Sequence, residues 1–197
     1  NKVLAGESFS GVEVKRKRKD DSWIDVSIST APIRDDEGKV TRIMSLVEEI
    51  TIKKQLEQSL KESERKFREI FNSANDAIYL HKLTKEGKPG QFVEVNEVAS
   101  EILGYSKEEL LSMSPKDLDT GKEAKKVPEI MKELSSEGQV TFEMIHRAKD
   151  GTEVPVEISS RTLVLGGEKL ALSIARDISE QKKAKRQLKE SRERLEA

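Results

Sequence analysis

The chain has 197 residues, of which 37% are charged and 4% aromatic, so its core is aliphatic and modest and its solvated faces are long. Thirty-six Lys and Arg nearly cancel 37 Asp and Glu, for a formal net charge of −1, which leaves no global field to draw in nucleic acid or an anionic membrane. No cysteine is present, which excludes disulfides, thiolate nucleophiles, cysteine-held zinc and sulfur-linked cofactors.

The chain opens on Asn1 rather than Met, and is read as a piece of a longer protein. No apolar run approaches the roughly 18–20 residues that span a bilayer, and no signal peptide is visible. A cytoplasmic location without direct membrane contact is expected. "KRKRK" (15–19) lies on a strand that runs into the "DD" turn, with no aromatic platform beside it. It reads as a lysine-protected strand edge rather than a nucleic-acid patch. Ile24, Val26 and Ile28 alternate with Asp25 and Ser27, the period of a half-buried strand. Trp23 has the opposite parity and projects from the outer face. "IRDDEGKV" (33–40) is a hairpin tip and leads into a third strand ending at Glu49. Three strands with an apolar face cannot stay bare, so a second chain or a neighbouring helix is expected over Ile24, Val26, Ile28 and Ile43.

From Thr51 to Phe71 the chain is charged and free of Gly and Pro, a helix of roughly 30 Å. Leu56, Leu60, Ser63, Phe67 and Ile70 fall on heptad positions d, a, d, a and d, a short seam that predicts a homodimer. "DAIYLHKL" (76–83) and "GQFVEVN" (90–96) are two strands joined by a Gly/Pro turn. His81, opposite in parity to Ile78 and Leu80, is placed on the sheet's outer face. "EVASEILGY" is a helix with Asn96 as N-cap and Gly104 as stop, and Ser106 with Glu109 has the spacing of a capping box. Residues 123–138 form a longer helix carrying Val127, Ile130, Met131 and Leu134 on one side.

Phe142, Met144 and His146 then alternate on a strand, followed by Val154, Val156 and Ile158 on the next, with Pro155 suggesting a bulge or an unpaired amide. "KDGTEVPVEIS" (149–159) repeats "KDDSWIDVSIS" (19–29), and "SIARDISEQK" (173–182) repeats "SLVEEITIKK" (45–54). The closing "LKESRERL" (188–195) repeats "LKESERKF" (60–67), again placing Leu188 and Leu195 on the helix seam. Each copy reads strand, turn, strand, turn, strand, helix, and the second has about seventy more residues in front.

The ordered set "FVEVNEVASEILGYSKEELL" (92–111), "KDGTEVPVEIS" (149–159) and "ARDIS" (175–179) resembles the PAS sensor domain. The resemblance implies an α+β fold: a five-stranded antiparallel sheet with helices on one face, preceded by a partial copy and long connecting helices. It places the C-terminal strands of a first domain at 1–50, a signalling helix at 51–71, a complete domain at 72–179 and an exit helix at 180–197. It implies a non-catalytic sensory relay in a multidomain protein, most often a two-component histidine kinase, with an output domain downstream in the same chain. The family's Asp-Ile-Thr exit motif stands here as Asp177-Ile178-Ser179 and as Glu49-Ile50-Thr51. Asp177 is expected to hold the junction to the core, and Ser179 and Thr51 to N-cap the helices that follow.

No cofactor is expected. Light-sensing relatives need a cysteine, and the long helix lacks the histidine that haem-binding relatives use. His146 could point inward near a pocket mouth, but reads as an edge-strand histidine without a partner cluster. Ile78, Val93, Ile102, Leu103, Ile130, Phe142, Met144, Val156, Ile158 and Leu172 are core residues first, and the apolar walls of a small noncovalent ligand second. No phosphate loop, metal-ligand spacing or nucleophile–base set occurs, so no catalysis is expected. The alternatives from other classes are a purely structural dimerisation module and a haem or redox sensor.

Overall fold

The structure is a computed structural model and describes residues 7–121, 123 and 125–196, the side chains of 195 and 196 excepted. The seam position Leu195 therefore lies outside the described side chains. The chain divides into two compact units, residues 1–67 and 68–197.

In the first unit β1 (Phe9–Lys17), β2 (Trp23–Arg34) and β3 (Val40–Glu49) form an antiparallel sheet in the order β1-β2-β3. Asp20 Oδ1 accepts from the Ser22 N–H at 3.0 Å in the first turn, and Asp35 Oδ1 from the Lys39 N–H at 2.9 Å in the second. Short side chains that bond their own backbone make such turns. Lys15, Arg16 and Lys17 lie on the edge strand β1. Val26 of the central strand is 2% exposed, and Ile24 and Ile28 are half-buried. Ile43 is exposed, as are Met44, Leu46 and Val47 beside it on the other edge strand. Trp23 is exposed too.

Helix α1 (Thr51–Asn72) carries the chain into the second unit and buries none of its residues. Leu56, Leu60, Phe67 and Ile70, with Leu188 further on, are between 54% and 73% exposed, and Ser63 is exposed with them.

The second unit is α+β. Its sheet comprises β4 (Ala77–Leu83), β5 (Pro89–Val95), β6 (Gln139–Arg147), β7 (Glu153–Leu165) and β8 (Glu168–Asp177), all pairings antiparallel, in the order β5-β4-β8-β7-β6. Between β5 and β6 run α2 (Glu97–Leu103), α3 (Lys107–Ser112), α4 (Pro115–Leu118) and α5 (Val127–Glu137), packed against the strands. The chain leaves through α6 (Ser179–Glu196).

Local chemistry sets these helix boundaries. Asn96 caps α2, its side chain accepting from the Ala99 N–H, and Gly104 closes the helix at φ 70°, a conformation that costs other residues a clash at Cβ. Ser106 and Glu109 form a reciprocal capping box on α3. Helix α5 starts at Val127, later than the 123 expected, because Pro128 sits in its first turn where no N–H is needed. Pro155 fits β7 because the ladder to β8 begins only at Val156 opposite Asp177, and its carbonyl accepts from the Ile178 N–H at 3.0 Å.

One face of this sheet meets the helices. Leu103 and Leu110 are fully buried there with Phe92, Val95 and Val156 in a single core cluster. At about 25 cal/mol per Å² of apolar surface, such side chains each contribute roughly 1.5–3 kcal/mol.

Candidate ligand cavity

The helix-covered face holds a pocket of about 80 Å³. Strand β4 supplies Tyr79 and His81 to it, and β6 supplies Phe142, Met144 and His146. Strands β7 and β8 add Ile158, Ser160 and Ser173; α4 and the residue after it add Leu118 and Asp119; α5 adds Ile130, Met131 and Leu134. The body is apolar, but the polar groups are specific.

The His146 side chain is 5% exposed, and its Nδ1 has no hydrogen-bond partner among the described residues. Its ring stands edge-on to Tyr79 with centroids 6.1 Å apart. Burial holds its pKa down at about 4, so the ring is neutral at pH 7. His81 is equally buried; its Nδ1 lies 3.1 Å from the Lys82 carbonyl. A carbonyl only accepts, so Nδ1 donates and Nε2 is left as an acceptor. Burial lowers the His81 pKa, partly opposed by that bond. Burial likewise raises the Tyr79 hydroxyl. The Ser160 and Ser173 hydroxyls bond each other at 2.7 Å across β7 and β8.

Asp119 forms an isolated antiparallel bridge with His146, so the two side chains share a wall. Burial, and then the charge of Glu123, raise the Asp119 carboxyl to about 6. One Glu123 oxygen takes Lys126 Nζ at 2.8 Å, and the other is buried without a partner. Among the described residues, no group of three His, Cys, Asp or Glu comes together to hold a metal ion.

Of the ten apolar candidates, Ile130, Phe142, Met144 and Ile158 line the cavity. Leu103 and Val156 lie in the core and Ile102 packs against it. Ile78, Val93 and Leu172 lie on the opposite face of the sheet, where Ile78 faces Ile174 and Leu172 faces Leu80 across β4 and β8. The expectation for His81 reverses with them: it faces inward with Tyr79 and Ala77, not outward. Both faces of β4 and β8 are apolar enough that alternation alone does not choose between them. His146 lies on the edge strand β6 and points inward, without a partner cluster among the described residues, although Asp119 from a segment distant in sequence lines the same cavity. The usable signal was that Tyr79 and His81 share parity, two aromatic-ring side chains whose bodies suit a buried face.

The two sheet–helix junctions match in detail. The Ile50 N–H donates to the Asp25 carbonyl at 2.9 Å as Ile178 does to Pro155, and Lys54 and Lys182 then close the first helical turns on Ile50 and Ile178. Ile50 and Ile178 are both buried. The capping differs from expectation. Thr51 Oγ1 accepts from the Asp25 N–H at 3.0 Å, a bond that Pro155 cannot repeat. At α6 the exposed carboxylate of Asp177 accepts from the Ser179 N–H at 2.7 Å, so Asp177 rather than Ser179 caps the helix. Glu49 reaches Arg18 at 2.5 Å on the surface.

Comparison with known proteins matches this architecture. The PAS domain profile covers residues 1–51 and 75–180. The chain is 38% identical over 143 residues to the methyl sulfide methyltransferase-associated sensor of Methanosarcina acetivorans, a match covering 73% of this chain and 14% of that protein. It is 28% identical over 148 residues to sporulation kinase E of Bacillus subtilis, covering 75% of this chain and 19% of the kinase. The chain thus spans less than a fifth of either relative. Among solved structures, the PAS domain of an HTR-like protein from Haloarcula marismortui superposes with a TM-score of 0.55 at 28% identity, covering 64% of this chain and 99% of that one. A PAS domain from a two-component sensor histidine kinase gives 0.50 at 25%, covering 59% and 98%. The chain belongs to the PAS domain family.

Proposed function

We propose that the chain is the sensory and relay region of a longer, cytoplasmic signalling protein, most simply a two-component histidine kinase, and that it has no catalytic activity of its own. The relatives named as a sensor and as a kinase, each far longer than this chain, support that setting. In this reading residues 1–50 are the closing strands of a first PAS unit, 51–71 a signalling helix, 72–179 a complete sensor and 180–197 the helix toward an output domain.

The carrying observation is the cavity. A buried imidazole without a partner is costly to keep empty-handed, and it lines a largely apolar pocket in the sensor unit. A small noncovalent ligand there would bear on β8 through Ser173, and β8 ends at Asp177, two residues before α6 begins at Ser179. The repeated junction geometry supports the same lever in both copies. Exposed seam residues on α1 and α6, and an apolar outer face at Ile78, Leu80 and Ile174, support a homodimer. A second copy would also cover the first unit's bare strand β3. Native mass spectrometry of the purified chain tests both parts: dimer mass with a small excess per chain is expected. A monomer without excess mass would sink the proposal, and a dimer without it would leave a structural dimerisation module.

A further inference from the structure

The repeat extends to the charged side chains that hold each outgoing helix on its own sheet. Lys54 Nζ, in the first turn of α1, meets Glu13 Oε2 of β1 at 2.7 Å. Lys182 Nζ, in the first turn of α6, meets Glu143 Oε2 of β6 at 2.8 Å. The two glutamates occupy one position of the repeat, because Val14 faces Val26 as Met144 faces Val156, one residue further on. The two lysines also match: the Lys54 N–H donates to the Ile50 carbonyl, and the Lys182 N–H to that of Ile178. The Lys182 ammonium holds the Glu143 carboxyl below the usual carboxylate range. The same ion pair thus forms twice, in surroundings that otherwise differ.

The second copy lacks the rest of the attachment. In the first, Asp25 Oδ1 also takes Lys54 Nζ at 3.2 Å, and the Asp25 N–H donates to Thr51 Oγ1 at 3.0 Å. Glu13 and then Asp25 raise the Lys54 pKa above the usual lysine value. Pro155 stands where Asp25 does, since its carbonyl accepts from Ile178 as that of Asp25 accepts from Ile50. Proline has neither an N–H nor a carboxylate, so neither of the additional Asp25 contacts can form at α6. Glu157, across from Glu143, is itself opposite Arg176, which feels its charge. Three side-chain contacts therefore tie α1 to its sheet, whereas Glu143 ties α6. An exposed ion pair alone changes an equilibrium by only a few-fold.

Taking α6 as the outgoing relay helix, as proposed above, we infer that Glu143 and Lys182 are its releasable latch. Pro155 keeps that latch weak by withholding the carboxylate and the N–H donor that fix α1.

Amide hydrogen exchange of the whole chain, read by NMR at Lys54, Lys182 and along β4, tests this. Pro155→Asp supplies both missing groups at once, an N–H for Ser179 Oγ and a carboxylate for Lys182 Nζ. Exchange at Lys182 slows at least about threefold, the effect of one added hydrogen bond and one exposed ion pair, while β4 amides keep their rates. Glu143→Gln, at an exposed site, speeds exchange at Lys182 about twofold or more. Glu13→Gln moves Lys54 by less than that, because Asp25 remains. Unchanged exchange at Lys182 in folded Pro155→Asp overturns the inference, as does an equal change along β4, which would report global stability instead. Should Pro155→Asp not fold, the two glutamine variants decide: equal effects at Lys54 and Lys182, or none at Lys182, overturn it. Such failures leave the relay reading standing, because that reading answers to the native mass measurement above.

Discussion

His146 and Asp119 share a wall and have opposite pH dependences. Burial lowers the His146 pKa from 6.5 to about 4. The unfolded chain takes up a proton near pH 6.5 that the native state refuses until about 4, so stability present above 6.5 is lost as pH falls through that window. One group across that interval is worth about 3 kcal/mol. Asp119, raised from 3.8 to about 6, is protonated in the native state where the unfolded chain is already ionised. Its stabilisation is full below 3.8 and is lost as pH rises to 6. From urea melts, the stability at pH 7 relative to that at pH 4.5 should therefore fall in His146→Phe, where only the Asp119 contribution is left, and rise in Asp119→Asn; the same difference in all three would refute the assignment. Asn96 makes a second residue-scale case. Its Oδ1 accepts from the Ile78 and Ala99 N–H groups, and its Nδ2 donates to the Phe71 and Asp76 carbonyls. Fully buried, it ties α1's end, β4 and α2 together. Asn96→Ala should cost about 3 kcal/mol or more by leaving these groups unpaired, measurable as a lowered denaturation midpoint.

At the scale of elements, the start of α6 is capped by one carboxylate. Asp177→Ala removes the cap on the Ser179 N–H, at a cost of about 1 kcal/mol to the helix start. Amides in the first turn of α6 should then exchange faster while β4 amides keep their protection; unchanged exchange would show that Asp177 sets nothing there. Glu49 has turned to Arg18 instead, and Thr51 to the Asp25 N–H, so α1 should be insensitive to Glu49→Ala in the same measurement. The exposed stripe of α1 makes a separate expectation. Leu60→Asp places a charge at an a position, where burial in a seam is unfavourable. Light scattering should show at least a tenfold weaker dimer, with the helix itself retained by circular dichroism.

Across the whole molecule, the two units are unequal in what they bury. The second packs helices α2 to α5 against its sheet over two buried core clusters, whereas the first, among the described residues, buries little beyond Val26, Thr30 and Ile50. Leu103→Ala, at a fully buried site, should cost about 2–5 kcal/mol through the cavity it opens. Hydrogen exchange should report that loss across β4 to β8.

The order of strands, the caps at Asn96, Gly104 and Ser106, the hairpin tips and the repeated exit were legible in the sequence. Those caps, the turn chemistry and the alternation of side chains act over a few residues, so the sequence alone determines them, whereas at the exits Thr51 and Asp177 took other partners than expected. Which face of β4, β5 and β8 turns inward was not legible. Ile78 and Leu80 are as apolar as Ala77 and Tyr79, so the choice fell to the helices that cover one face and to pairing with β8. Nor could spacing reveal that His81, Asp119 and His146, from three separate segments, line one cavity. That assembly arises only when the sheet order β5-β4-β8-β7-β6 brings distant strands together. The burial that lowers both histidines and raises Asp119 comes from that packing, because desolvation is a property of the surroundings rather than of the residue.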